Sequence, residues 1–122
     1  MNFMEQNALR AELRQFTGST EFYRHFTNAI IYTEGVKFLA ERARVYWLID
    51  LIASLQTRAL KDRALREFQL WELRVANGRA VVVCLRDSDD EAFRVPLKFA
   101  DSALDYVRLY LENGTLLLPS EH

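Results

Sequence analysis

The chain has 122 residues, half of them hydrophobic and 27% charged, with a formal net charge of −1. That length suits one domain spanning 1–122, with about two thirds of the unfolded chain's surface buried on folding. The balance excludes a disordered chain, and the missing basic excess argues against nucleic acid as a partner, since phosphate contacts dominate such affinity.

Residues 5–15 read as a first helix, with Leu9 and Leu13 on one face and Phe16 extending it. Gly18 permits a turn, and Ser19 or Thr20 caps the next element. A second helix, about 20–30, would carry Phe22, Phe26 and Ile30 on one stripe, widened by Tyr23. The run Ile30–Glu41 leaves two readings. Ile30–Tyr32 begins a strand, or Thr33 caps a helix with Glu34 in its first turn and Val36 and Leu39 facing inward; the helix is favoured.

In "RVYWLIDLIASLQT", 44–57, Val45, Leu48, Ile49, Leu51, Ile52 and Leu55 sweep an arc of about 160° on a helix. Asp50 lies opposite the middle of that arc, flanked by Ser54 and Thr57, with Tyr46 on the other side. "RALKDRALRE", 58–67, reads as a frayed helix end or connector. Its five-residue echo fits no structural repeat.

From Phe68 the period changes to two. Asn77-Gly78 between two β-rich runs is a strong hairpin signal, because both turn positions need positive φ. A two-residue turn sets Ala76 opposite Arg79. Trp71, Leu73 and Val75 then share a face with Cys84, Val82 and Ala80. Leu70, Glu72 and Arg74 share the other with Leu85, Val83 and Val81. The second strand is apolar on both sides and should be internal. "DSDDE", 87–91, is a turn.

"AFRVPLKF" comes next, with Phe93, Val95, Leu97 and Phe99 inward and Arg94, Pro96 and Lys98 outward. Pro96 marks it as an edge strand, or as one whose backbone N–H position there faces solvent. Ser102 caps a last helix, 103–112, with Leu104, Val107 and Leu111 on its buried side and Asn113-Gly114 as its left-handed stop. "TLLLP", 115–119, returns as a short strand. The order predicts an α+β fold: N-terminal helices on an antiparallel meander of three to four strands, with a C-terminal helix.

The candidate chemistry is sparse. Asp50 is an acid–base group half-buried beside Tyr46, a structural acid paired with an arginine such as Arg24 or Arg42, or a solvated acid on a thin polar stripe; the structural role is favoured. His25 is a candidate base, but on a helix it faces Glu21 as an ordinary surface pair. No His or Cys stands at zinc spacing and "DSDDE" lacks the glycine and distant Glu of a calcium loop, so no metal is implied. No cofactor is implied either, since every glycine has a turn to explain it and none forms a phosphate cradle. The sole cysteine, Cys84, should be an inert core thiol. Spaced tryptophans and tyrosines default to core. The 13 Arg against 3 Lys suit a protein interface, although codon usage is the favoured explanation. No apolar run approaches a membrane span or signal core, so a cytoplasmic setting without membrane contact is expected.

The blocks "YTEGVKFLAERARVYWLIDLIASLQ", "LREFQLWEL" and "LYLENGTLLLPSE" together resemble an uncharacterised domain-of-unknown-function family of small bacterial proteins, also found on plasmids and phages. The resemblance runs from about Phe16 to Glu121 and implies a bacterial or mobile-element setting, with no catalytic residues to carry over. The expected function is a non-enzymatic interaction or regulatory protein acting on another protein, such as a host complex; a second copy of itself is also open. The alternative is a small enzyme or ligand-binding domain using Asp50, Tyr46 and His25. DNA binding ranks third.

Overall fold

The computed structural model describes residues 1–18, 20–98 and 100–122. The expected cap at Ser19 and the inward side chain of Phe99 lie outside the described residues. Helix α1 (Phe3–Leu13) starts where Asn2 accepts a hydrogen bond from the Glu5 backbone N–H. Strands β1 (Phe22–Arg24) and β2 (Ile31–Thr33) come next, then helices α2 (Glu34–Ala43), α3 (Tyr46–Ser54) and α4 (Gln56–Ala59). Strands β3 (Phe68–Ala76), β4 (Arg79–Asp87), β5 (Asp90–Leu97), β6 (Tyr106–Glu112) and β7 (Thr115–Leu117) complete one mixed sheet. Its order is β1-β2-β7-β6-β3-β4-β5, antiparallel throughout except for the parallel pair β2–β7.

The fold is α+β, but the expected meander of three to four strands with a C-terminal helix is overturned by this seven-stranded sheet. Two segments account for the difference. Residues 103–112 form no helix; most of them are β6, between β3 and β7 near the middle of the sheet. Val107 and Leu111 fit either period. Leu109 decides: it is buried with them, while Arg108 and Tyr110 stay partly exposed on the opposite face. Asn113 and Gly114 both have positive φ and join β6 to β7 as a hairpin turn, not a helix stop. Ser102 caps a local turn by accepting from the Leu104 N–H.

The expected helix over 20–30 is likewise a β-hairpin, β1 to β2. The four-residue spacing of Phe22, Phe26 and Ile30 is accidental: Ile30 is buried and both phenylalanines are exposed. Asn28, at φ 62°, turns the chain there.

The ambiguous run resolves into both readings in series. Ile31–Thr33 is strand, and Thr33 then caps α2 by accepting from Val36 N–H. Gly35 departs from the expectation that each glycine serves a turn. It lies in the first turn of α2, where a Cβ would stand 2.7 Å from the Glu121 carboxylate and 2.8 Å from Leu118. Its bareness lets the C-terminal segment close on the helix.

The β3–β4 hairpin has the expected register, from Ala76 opposite Arg79 to Leu70 opposite Leu85, with β4 internal and β5 at the edge. Leu39, Ala43, Leu48 and Ile52 pack from the helices onto Trp71, Leu73, Val82 and Leu109. A reciprocal amide pair, Gln56 with Gln69, ties α4 to β3 inside this core, and the Trp71 indole donates to the same Gln69 oxygen. The opposite sheet face carries a smaller cluster of Leu70, Val83 and Leu85. Among the described residues no helix is long and apolar enough to cross a membrane.

Candidate functional site

Helix α3 presents Asp50 to solvent, as the arc of apolar neighbours requires; its side chain is 58% exposed. Its partner is His25 and neither Arg24 nor Arg42. The His25 Nε2 lies 2.7 Å from Asp50 Oδ1. Arg42 instead binds Glu12. His25 is no surface residue paired with Glu21: it is 5% exposed, directly after β1, and faces α3 across the hairpin.

The other imidazole nitrogen is also engaged. The Thr27 backbone N–H donates to Nδ1 at 3.2 Å, and the Thr27 hydroxyl stands 2.8 Å away. An N–H can only donate, so Nδ1 accepts and Nε2 carries the proton given to Asp50. The hydroxyl–imidazole–carboxylate order superficially matches a nucleophile relay. In this chain the hydroxyl lies two residues from the imidazole in the same loop, and its oxygen also accepts from Ala29 N–H. The arrangement braces a turn: Asn28 N–H bonds to His25 C=O and His25 N–H to Ile30 C=O.

Tyr46 shares the exposed side of α3 but joins a different group. Its hydroxyl donates to Glu41 at 3.1 Å. Burial, and then that carboxylate, push the phenol up to about 12. Tyr23 and Tyr32 stack nearby on β1 and β2, with Lys37 over the Tyr23 ring. Cys84 is fully buried in β4, and desolvation raises its thiol to about 12, which leaves it protonated and unreactive. The acids of the β4–β5 turn are partly paired, Asp90 with Arg86 and Glu91 with Arg94.

The braced turn carries an aromatic group into solvent. Phe26 packs its ring on the His25 imidazole, centroids 4.3 Å apart, and is nevertheless 81% exposed. Phe22 on β1 is 53% exposed. Sequence reading placed both with Ile30 on one stripe of a helix. The signal it missed is turn chemistry at Thr27-Asn28, which ends β1 and sends the chain back.

A second polar cluster, also missed, sits on the sheet face away from the helices. Glu72 is 5% exposed there, beside arginines that are themselves partly exposed. Arg108 and Arg74 reach it with guanidinium nitrogens, Arg108 at 2.7 Å, and the Tyr106 hydroxyl donates to the same carboxylate. Desolvation pushes the Glu72 carboxyl up, but the hydrogen bonds from Tyr106, Arg74 and Arg108 outweigh it and hold the group below its usual range.

Comparison with known proteins matches the chain to a family of unknown function (DUF6876) over residues 7–122, starting upstream of the Phe16 expected from the sequence. No curated protein and no solved structure matches it.

Proposed function

The chain belongs to that family of unknown function, and from its geometry we propose that it is a protein-docking module whose contact element is the loop 25–30 beside β1. One observation carries this reading: Phe26 is exposed and its ring lies against a buried imidazole that is itself bonded on both sides. An exposed apolar ring is common and needs no explanation alone. A preordered one loses little entropy on binding, and so contributes more affinity than a free side chain of equal area. Phe22 adds a second aromatic on the adjoining edge strand, and aromatic anchors dominate interface energetics. The mobile-element setting that the resemblance implies makes a host complex the fitting partner, blocked or recruited by surface contact.

The test compares the wild type with Phe26→Ser as baits in cells of the native host. A partner identified by mass spectrometry is then purified and titrated calorimetrically against both. The expected loss for Phe26→Ser is about 2 kcal/mol, roughly thirtyfold, as for a hot-spot residue. Equal affinity for the two baits would remove the loop from the interface.

A further inference from the structure

A cavity of about 180 Å³ opens between α1, β6 and the C-terminal segment. Leu13, Leu104, Val107 and Leu118 contribute apolar walls, and Arg10, Arg14 and Arg108 are the cationic residues lining it. We infer that this cavity is a binding site for a small monocarboxylate with an apolar body of about six carbons, anchored by Arg14.

The size sets the body. An apolar protein cavity of about 150 Å³ holds benzene, so this one takes a ring or a chain of roughly six carbons. The charges set the headgroup. Arg10 is paired with Asp105 at 2.9 Å, and Arg108 is engaged at 2.7 Å by Glu72, which it shares with Arg74. The side chain of Arg14 makes no hydrogen bond or ion pair among the described residues. Among the three lining arginines, Arg14 is therefore the one whose guanidinium donors are all free. A single free guanidinium matches a carboxylate, which it holds by two parallel hydrogen bonds. A phosphate dianion would call for a second free cation. Apolar walls with one convergent charged group are the usual makeup of a small-molecule site. This surface is made by α1 and β6 and shares no residue with loop 25–30, so the inference stands apart from the docking proposal.

The experiment is a titration of the full chain with sodium hexanoate, followed by methyl NMR. Saturable shifts are expected at Leu13, Leu104 and Val107, with a dissociation constant on the order of millimolar for a ligand this small. Arg14→Gln should weaken hexanoate about tenfold and leave distant methyl signals in place, since Arg14 is exposed at the end of α1. Hexan-1-ol, equal in chain length and uncharged, should bind the wild type about tenfold more weakly than hexanoate. This comparison needs no variant, so it decides the matter even if Arg14→Gln fails to fold. No saturable shift with hexanoate, or equal binding of hexanoate and hexan-1-ol, overturns the inference.

Discussion

His25 and Glu72 are both about 95% buried ionisable side chains, and the protein satisfies them in opposite ways. His25 lies on the helix side of the sheet and is held as a neutral ring. Its partners are its own loop and one acid that reaches water. Glu72 lies on the open side and is held as an anion. Its partners are two guanidiniums and a phenol from its own strand and β6. The first arrangement is local and fixes a turn. The second bridges two central strands whose contact joins the two halves of the sheet. Burying a charge on a face without a helix is tolerable only because the covering residues are themselves the counter-charges.

The comparison breaks most visibly at Glu72. Glu72→Leu leaves Arg74, Arg108 and Tyr106 without their shared acceptor. Both guanidiniums are partly exposed and can turn to water. The cost is therefore below the 3–5 kcal/mol of a fully buried pair, at about 2 kcal/mol. Thermal unfolding should shift down by roughly 8 °C, and the variant's spectrum should otherwise keep the β signature.

Acid titration tests the charge itself. The folded carboxyl is held below its usual range, so the unfolded chain binds this proton first as pH falls. The contribution is complete above the unfolded value of about 4.3 and is lost as pH drops through the lower folded value. Glu72→Gln should remove that part of the acid dependence, measured as the difference in denaturant midpoint between pH 7 and acid. An unchanged slope in the variant would mean that Glu72 is not the group responsible.

How far the sequence discloses these two clusters depends on the distance over which their partners are found. The register that puts Glu72, Arg74 and Val83 on one face follows from Asn77-Gly78 and two alternating runs, and the structure has that register. Arg108 and Tyr106 join them only if 106–112 is a strand. A helical reading of that segment satisfies Leu104, Val107 and Leu111 and leaves Leu109 unexplained. The same dipeptide, Asn-Gly, has positive φ at both places, yet it reads as a hairpin when both flanks alternate and as a helix stop when one flank fits two periods. On the other face, the outward direction of Asp50 is legible from α3 alone, because one helix sets both the arc and its opposite side. Its partner is not, because His25 arrives from a hairpin that a four-residue spacing of apolar side chains disguises as a helix. Periodicity within an element survives such errors; pairing between elements does not.

Breaking the His25 brace should cost less than breaking the Glu72 cluster, and in one place. His25→Ala removes the ring under Phe26 and its hydrogen bonds with Asp50 and with the Thr27 N–H and hydroxyl, all made to groups that can turn to water, for about 1 kcal/mol. Hydrogen exchange locates the effect. The amide of Asn28, bonded to the His25 carbonyl, should lose protection, while amides between β3 and β6 keep theirs. Uniform loss across the sheet would show that the loop is coupled to the core and is not a local unit.

The smallest effect is expected from Asp50→Asn, and it sharpens the contrast with Glu72. Asp50 receives a hydrogen from a neutral ring, and a carboxamide oxygen accepts that hydrogen as well as a carboxylate does. Its side chain is more than half exposed, so water compensates for any misfit. The change in stability should stay within about 0.5 kcal/mol, as for surface substitutions, and docking through Phe26 should persist. Glu72→Gln is the matched substitution on the other face, yet it should cost more, because two cations there depend on the charge and not merely on an acceptor. Equal costs at the two positions would mean that the carboxylate of Asp50 acts as a charge as well. The brace would then depend on an imidazolium, with the Nδ1 proton facing the Thr27 oxygen instead of the Thr27 N–H.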